Sequence, residues 1–365
     1  MASPTKIGII GCGNICGAYN KGLKLFPMVE LSTVADLDPA RAKAKAAEFG
    51  VRAATVEQLL ADPEIEIVIN LTIPGVHAKV NRSILDAGKH PYVEKPFAIE
   101  YDDGKAVLKL AKENGLRVGC APDTFLGGGI QTARKAIDAG LIGEPVAAVG
   151  NMASHGPEGW HPDPEFFFQV GGGPMLDMGP YYVTALVNLL GPIRRVTGSA
   201  RASFPERTIG SGTKKGSKIK VEIPTHYAGV FDFHAGPMAA LNMSFDVWSH
   251  NLPIIEVYGT EGSLRVPDPN NFDGLVEVRG ANDKEWRAVP HTHSDSLLRG
   301  VGVADMACGL RKNRPHRASG ELALHVLEAM LGVKLASEKG AHVILESTVP
   351  KPQALPEGLA PGELD

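Results

Sequence analysis

The feature that most constrains this chain is a glycine loop set between a strand and a helix. Ile7 to Ile10 is an apolar run of strand length, and Gly11-Cys-Gly13-Asn-Ile-Cys16 follows it and opens a helical pattern through Leu23 to Leu25. Glycine at 11 permits a tight turn. Glycine at 13 lets backbone approach a pyrophosphate, whose charge then lies at the helix N-terminus. Asn14 and Ile15 complete the loop and count with Gly11 and Gly13 as cofactor-binding positions. The third small position of such loops, usually Gly or Ala, is Cys16 here. The next strand, Leu31 to Ala35, ends at Asp36, where a carboxylate accepts hydrogen bonds from adenine ribose hydroxyls and repels a 2′-phosphate. NAD is therefore expected over NADP, with Arg41 as a phosphate partner that would soften the preference.

Around this loop, short β-rich runs alternate with helical patterns. Pro39 to Phe49 reads as a helix closed by Gly50, Ile65 to Leu71, Pro91 to Val93 and Leu116 to Ala121 read as strands, and Val80 to Leu85 and Ala106 to Ala111 as helical. Alternation at this spacing implies right-handed crossovers and a doubly wound parallel α/β sheet. After Asp123 the pattern changes. One helix, Ile130 to Ala139, precedes a β-rich stretch with strands at 146–149, 196–202, 227–233, 238–245, 254–258, 263–266 and 275–278. Helical patterns at 297–310 and 321–335 follow, then a proline-rich tail from Lys351 expected on the surface. The expected division is residues 1–124 for nucleotide binding, and 125–365 for an α+β domain on an open, mostly antiparallel sheet.

Composition excludes several classes of function. With 37 basic and 41 acidic residues and no long run of either sign, the chain has no electrostatic footprint for nucleic acid. No stretch reaches the ~18 apolar residues of a membrane span. The start runs into a strand without a signal-peptide core, so a cytoplasmic location is expected. The four cysteines show neither Cys-x-x-Cys nor zinc spacing, and no nearby acid or cysteine completes a ligand set with His291-Thr-His293, so no metal site is expected.

Two further segments carry chemistry. Thr72-Ile-Pro74-Gly-Val-His77 follows one strand and Glu94-Lys95-Pro96 the next, both at the carboxyl rim where open α/β sheets bind ligands. Together with the GCGNIC loop, Asp36 and the segment GGGPMLDMGPYY from Gly171 to Tyr182, they resemble the Gfo/Idh/MocA family of NAD(P)-dependent oxidoreductases over almost the whole chain. The resemblance implies a Rossmann domain followed by an α+β domain. It also implies cofactor contacts at Thr72, Pro74, His77, Glu94 and Lys95, and a homodimer or homotetramer that covers the open sheet. It places Lys95 beside the nicotinamide and the substrate carbinol. Removing a hydroxyl proton during hydride loss suits a lysine whose ~10.4 reference pKa is pulled toward neutrality.

Many relatives have histidine where this chain has Tyr181; the glucose-fructose oxidoreductase branch resembles it in having tyrosine. Lys95 and Tyr181 are expected to act as one acid-base unit. Asp177 would bind a substrate hydroxyl or hold the lysine, and sits in the entry turn because Pro180 fits a first helical turn. Asp123 would face the nicotinamide. Trp160 and His161, with Phe166 to Phe168, form an aromatic loop suited either to sugar faces or to core packing. The implied activity is a dehydrogenase or reductase at a secondary alcohol or ketone of a sugar, cyclitol or related polyol. The alternative is a glycoside hydrolase of the same fold that retains NAD and oxidises transiently. A non-catalytic nucleotide sensor is a third reading.

Overall fold

The computed structural model describes residues 3–360 and 362–365. The chain divides into two compact units, one comprising Met1–Gln131, Thr292–Leu324 and Pro352–Asp365, the other Thr132–His291 and His325–Lys351. This differs from a single cut at 124. The division falls inside two helices, and two later segments return to the first unit.

In the first unit, β1 (Thr5–Ile10), α1 (Cys16–Leu23), β2 (Val29–Ala35), α2 (Pro39–Phe49), β3 (Arg52–Ala54), α3 (Val56–Ala61), β4 (Ile65–Asn70), α4 (His77–Asp86), β5 (His90–Val93), α5 (Tyr101–Glu113) and β6 (Gly119–Cys120) alternate along the chain. The strands form one parallel sheet in the order β3-β2-β1-β4-β5-β6. That is the Rossmann order, and its direction reverses between β1 and β4, which opens a ligand crevice at their carboxyl ends. Near-continuous apolar strands such as β4, with Ile67, Val68 and Ile69 all buried, suit a sheet covered on both faces.

Local signals explain the boundaries. Asp38 caps α2 by accepting from Ala40 N at 2.9 Å, Pro39 occupies the first turn, and Gly50 ends the helix at φ 75°. The short pair β3 and α3 was absent from the sequence reading. Its mark is the reciprocal cap of Thr55 and Gln58. Strand β6 is two residues long rather than six, because it pairs with β5 only through Gly119 and Cys120 and Pro122 offers no N–H to extend the ladder.

Helix α6 (Gly128–Asp138) precedes the second unit's β7 (Pro145–Ala153), α7 (Gly173–Asp177), α8 (Gly179–Leu190), β8 (Ile193–Arg201), β9 (Glu206–Thr208), β10 (Lys218–Lys220), β11 (His226–Phe233), β12 (Met238–Ser244), β13 (Ile255–Gly259), β14 (Gly262–Val266), β15 (Glu277–Gly280) and β16 (Arg287–Ala288). Helices α9 (Val301–Arg311) and α10 (Gly320–Lys339) and strand β17 (Val343–Ile344) complete the chain. The larger sheet has the order β16-β15-β14-β13-β7-β12-β11-β8-β17 and is antiparallel except for β7 with β12. Helix α8 is buried throughout and lies on one face, where the Tyr182 and Leu186 side chains approach Gly150. On the other face Ala228, Val230, Met238 and Ala240 are exposed, so the sheet is covered on one side within its unit.

Two features add to the sequence expectations. The hairpin of β9 and β10 was not anticipated; its Ile209 and Ile219 pack with Phe167, Phe168 and Phe245. The proline-rich tail lies largely on the surface, as expected, and is anchored to the first unit at a few points. Leu355 is buried and its N–H donates to Gln131 Oε1 at 2.8 Å, and Arg317 pairs with Asp365 at 2.8 Å.

Candidate active site

The glycine loop leaves the switch point of the parallel sheet. Gly11 has φ 105°, and a Cβ there would lie 2.6 Å from Leu71 O, so the turn can hug the end of β4 only as glycine. Gly13 is different. It is exposed, and a Cβ there would meet no protein atom within 4 Å. The space above it is open, as a phosphate cradle requires, with Asn14 exposed and Ile15 half-buried beside it at the start of α1. Cys12 and Cys16 are buried free thiols that pack the underside of the loop. A hydrogen bond to Cys12, reinforced by burial, pushes the Cys16 thiol well above its usual range and keeps it neutral.

Asp36 stands at the end of β2, half-buried. Its Oδ2 accepts from Cys12 N at 2.8 Å and its Oδ1 from Asp38 N at 2.9 Å. Each oxygen keeps further acceptor capacity. Arg41 is exposed and lies 3.7 Å from Asp38. The glycine cradle and this acid fit a dinucleotide.

At the end of β4 the organising residue is one that sequence reasoning missed. Asn70, fully buried, donates to His77 O at 3.1 Å and Asn81 Oδ1 at 2.9 Å, and its own Oδ1 accepts from Thr72 Oγ1 at 2.6 Å. A buried amide at a strand's carboxyl end has to be satisfied, which is the sequence signal that identifies it. His77 is likewise buried rather than presented to a ligand. Its Nδ1 is 2.7 Å from Pro96 O and its Nε2 2.9 Å from Thr72 O. Burial holds this imidazole below its usual pKa. Each nitrogen faces a carbonyl oxygen and a neutral ring donates to one of them, so His77 is lodged between the Thr72 loop and the Lys95-Pro96 segment, while Thr72 and Pro74 are half-buried at the rim.

The segment after β5 is anchored a second time. Glu94 is buried; its Oε1 accepts from Tyr19 Oη at 2.9 Å and its Oε2 from Lys95 N at 3.0 Å. Lys95 itself is half-buried at the rim. Burial, with the Glu94 charge second, pushes the Tyr19 phenol well above its usual pKa, so it stays a donor.

Asp123 departs from expectation. It is fully buried, and Oδ2 accepts from Gly300 N at 2.8 Å and Gly302 N at 3.0 Å. It caps α9, whose N-terminal dipole favours a carboxylate, and offers no face to a substrate. Burial nevertheless raises its pKa.

In the second unit, Gly172 and Gly173 make the close approaches that admit α7: a Cβ at 172 would be 2.3 Å from Phe166 O, and Gly173 has φ 86°. Asp177 is the last residue of α7 and half-buried, Met178 links the helices, and Pro180 occupies the first turn of α8. Tyr181 and Thr184 are buried in α8. Thus the segment is two short helices rather than one entry turn, because Gly179 starts a new helix against Met175 and Met330.

The aromatic loop splits by role. Phe167 and Phe168 are core, whereas Trp160 is 69 % exposed and contacts the His161 ring edge-on at 5.6 Å. The loop is fixed from below by buried Arg207, which donates to Glu158 Oε1 at 2.7 Å and Asp246 Oδ1 at 2.8 Å. His291 and His293 each bond a backbone carbonyl, at 2.9 Å. Among the described residues no group of three His, Cys, Asp or Glu is placed to hold a metal, and no helix is long and apolar enough to cross a membrane.

Comparison with known proteins agrees with this architecture. Residues 5–121 match the oxidoreductase family model for the NAD-binding Rossmann fold, and residues 130–265 the Gfo/Idh/MocA C-terminal domain. The chain is 27 % identical over 265 residues to 1,5-anhydro-D-fructose reductase of Ensifer adhaerens, covering 70 % of this chain and 74 % of that one. It is 24 % identical over 285 residues to levoglucosan dehydrogenase of Pseudarthrobacter phenanthrenivorans, covering 71 % and 72 %. The fold of a levoglucosan dehydrogenase solved with NADH and L-sorbose superposes with a TM-score of 0.80 at 21 % identity, over 94 % of this chain and 99 % of that one. The chain belongs to the Gfo/Idh/MocA oxidoreductase family, with an NAD(P)-binding Rossmann domain followed by the family's C-terminal domain.

Proposed function

We propose that the protein is an NAD-preferring dehydrogenase or reductase acting at a secondary alcohol or ketone of a sugar, cyclitol or related polyol. The observation that carries this reading is the sharing of one sheet rim by the Gly11/Gly13 cradle, Asp36 and Lys95. The names of the relatives, a reductase of 1,5-anhydro-D-fructose and a dehydrogenase of levoglucosan, support the substrate class. Asp36 would bind the ribose hydroxyls, and with Arg41 turned to Asp38 its charge disfavours a 2′-phosphate.

When bound, the nicotinamide supplies the hydride acceptor for oxidation and, reduced, the donor for reduction. Lys95 takes the hydroxyl proton as the alcohol is oxidised and returns it in the reverse direction. Tyr181 shares that proton work, and Asp177 holds a neighbouring substrate hydroxyl. Trp160, with its indole exposed, stacks on the apolar face of the sugar ring, beside His161. Thr72, Pro74 and Glu94 shape the cofactor side, with His77 acting through the loops it clamps. The exposed row of Ala228, Val230, Met238 and Ala240 supports a homodimer or homotetramer, which light scattering would read.

The test is a panel of levoglucosan, aldopentoses and cyclitols with NAD, followed by nicotinamide absorbance. Net formation of reduced cofactor with at least one of them is expected. Cleavage of glycosides at constant cofactor redox state would overturn the dehydrogenase reading in favour of redox-neutral hydrolysis.

A further inference from the structure

Helix α1, which opens at the glycine cradle, reaches the Lys95 segment through one buried hydrogen bond. Tyr19, fully buried on α1, donates its hydroxyl to Glu94 Oε1 at 2.9 Å, and Glu94 Oε2 accepts the Lys95 backbone N–H at 3.0 Å. We propose that Tyr19 is a positioning residue that fixes the Lys95 backbone through Glu94, so that the helix beneath the cofactor also sets the place of the proton-handling lysine. The inference rests on the reading of Lys95 given above.

Three observations carry it. A buried carboxylate demands partners for both oxygens, and here one partner is the phenol of a distant helix and the other is the amide of the residue to be placed. The phenol is fixed in direction by its ring, which packs edge-on against Tyr92 with centroids 6.4 Å apart. Tyr92 is an internal comparison. It is equally buried, on β5, and its hydroxyl has no hydrogen-bond partner among the described residues. Two neighbouring buried tyrosines therefore differ in one respect: only Tyr19 spends its hydroxyl on Glu94.

The pair Tyr19→Phe and Tyr92→Phe separates the bond from the packing, since each removes one oxygen from the same aromatic contact. Hydrogen–deuterium exchange of the peptide spanning Val93 to Phe97 should speed up about tenfold at the Lys95 amide in Tyr19→Phe and stay unchanged in Tyr92→Phe. The dissociation constant for NADH, read by fluorescence, should stay within about twofold in both. For the polyol turned over, kcat should fall about tenfold in Tyr19→Phe at constant KM. Unchanged exchange at Lys95, equal acceleration in both variants, or weakened NADH binding that accounts for the lost activity would overturn the proposal. If Tyr19→Phe does not fold, Glu94→Ala removes both acceptors at the same junction, and the same exchange result is required of it. Inactive Lys95→Ala with unperturbed Tyr19→Phe would reject the role of Tyr19 and leave the reading of Lys95 intact; active Lys95→Ala would reject that reading itself.

Discussion

The backbone N–H of Cys12 donates to Asp36 Oδ2 at 2.8 Å, tying the glycine loop after β1 to the acid after β2. The acid proposed to select the cofactor thus also braces the loop that would cradle its phosphates. Replacing Asp36 with Ala should weaken NADH binding about tenfold or more and narrow the preference over NADPH, because both the ribose acceptor and the repulsion of a 2′-phosphate are lost. Parallel fluorescence titrations with the two cofactors check this. Tighter NADPH than NADH binding by the unaltered protein would contradict the role of Asp36.

The two loop glycines should fail differently. At Gly11 alanine meets Leu71 O at 2.6 Å and an unfavourable φ of 105°, so Gly11→Ala should lose on the order of 2 kcal/mol or more of stability together with cofactor binding. At Gly13 alanine meets no protein atom. Gly13→Ala should therefore melt within a few degrees of the parent, yet bind NADH at least about tenfold more weakly. Calorimetry alongside NADH titration separates the two outcomes.

Acid lability should come from buried imidazoles. Burial pushes His325 down to about 4. Its Nε2 accepts from Ile193 N at 2.9 Å, a bond that protonation of that nitrogen abolishes. Below about 6.5 the unfolded chain takes a proton that the folded state refuses, so stability falls as pH drops from about 6.5 toward 4, by on the order of 3 kcal/mol for this site. His77, His90 and His316 are shifted in the same direction by burial and steepen the loss. Denaturant midpoints across this range should show a shallower pH slope in His325→Gln than in the parent.

Asp123 offers the opposite sign. Burial raises its pKa, so it favours the folded state most at low pH and that contribution is lost as pH rises through its folded value. Both N–H donors at the start of α9 use Oδ2. Asn can therefore keep both bonds through its amide oxygen, and Asp123→Asn should cost under about 1 kcal/mol, against about 2 kcal/mol for Asp123→Ala. Loss of activity with unaltered stability in Asp123→Asn would instead return this residue to the site.

Local signals made the sheet legible. Asp38, Pro39 and Gly50 mark α2 because caps act over a few residues, and the positions of Gly11, Asp36 and Lys95 follow from where strands end. What the chain alone did not disclose depends on partners far apart in sequence. Asp123 looks like a rim acid until Gly300 and Gly302 claim it, and His77 looks like a ligand contact until the carbonyls of Thr72 and Pro96 enclose its ring. The tail reads as a proline-rich surface segment, and only its partners Arg317 and Gln131 reveal where it is anchored in the first unit. Phe167 and Phe168 seemed equally fit for sugar or core, and only the unanticipated hairpin of β9 and β10 decides for core.

The central claim is that Lys95 handles the proton of a polyol hydroxyl while the Rossmann unit binds the cofactor independently of it. The direct measurement is steady-state formation of NADH from the best substrate of the polyol panel by Lys95→Met, beside its affinity for NADH. The account predicts a fall in kcat of at least about a hundredfold with NADH affinity within about threefold of the parent. Turnover near the parental rate in a variant that binds NADH normally would contradict it.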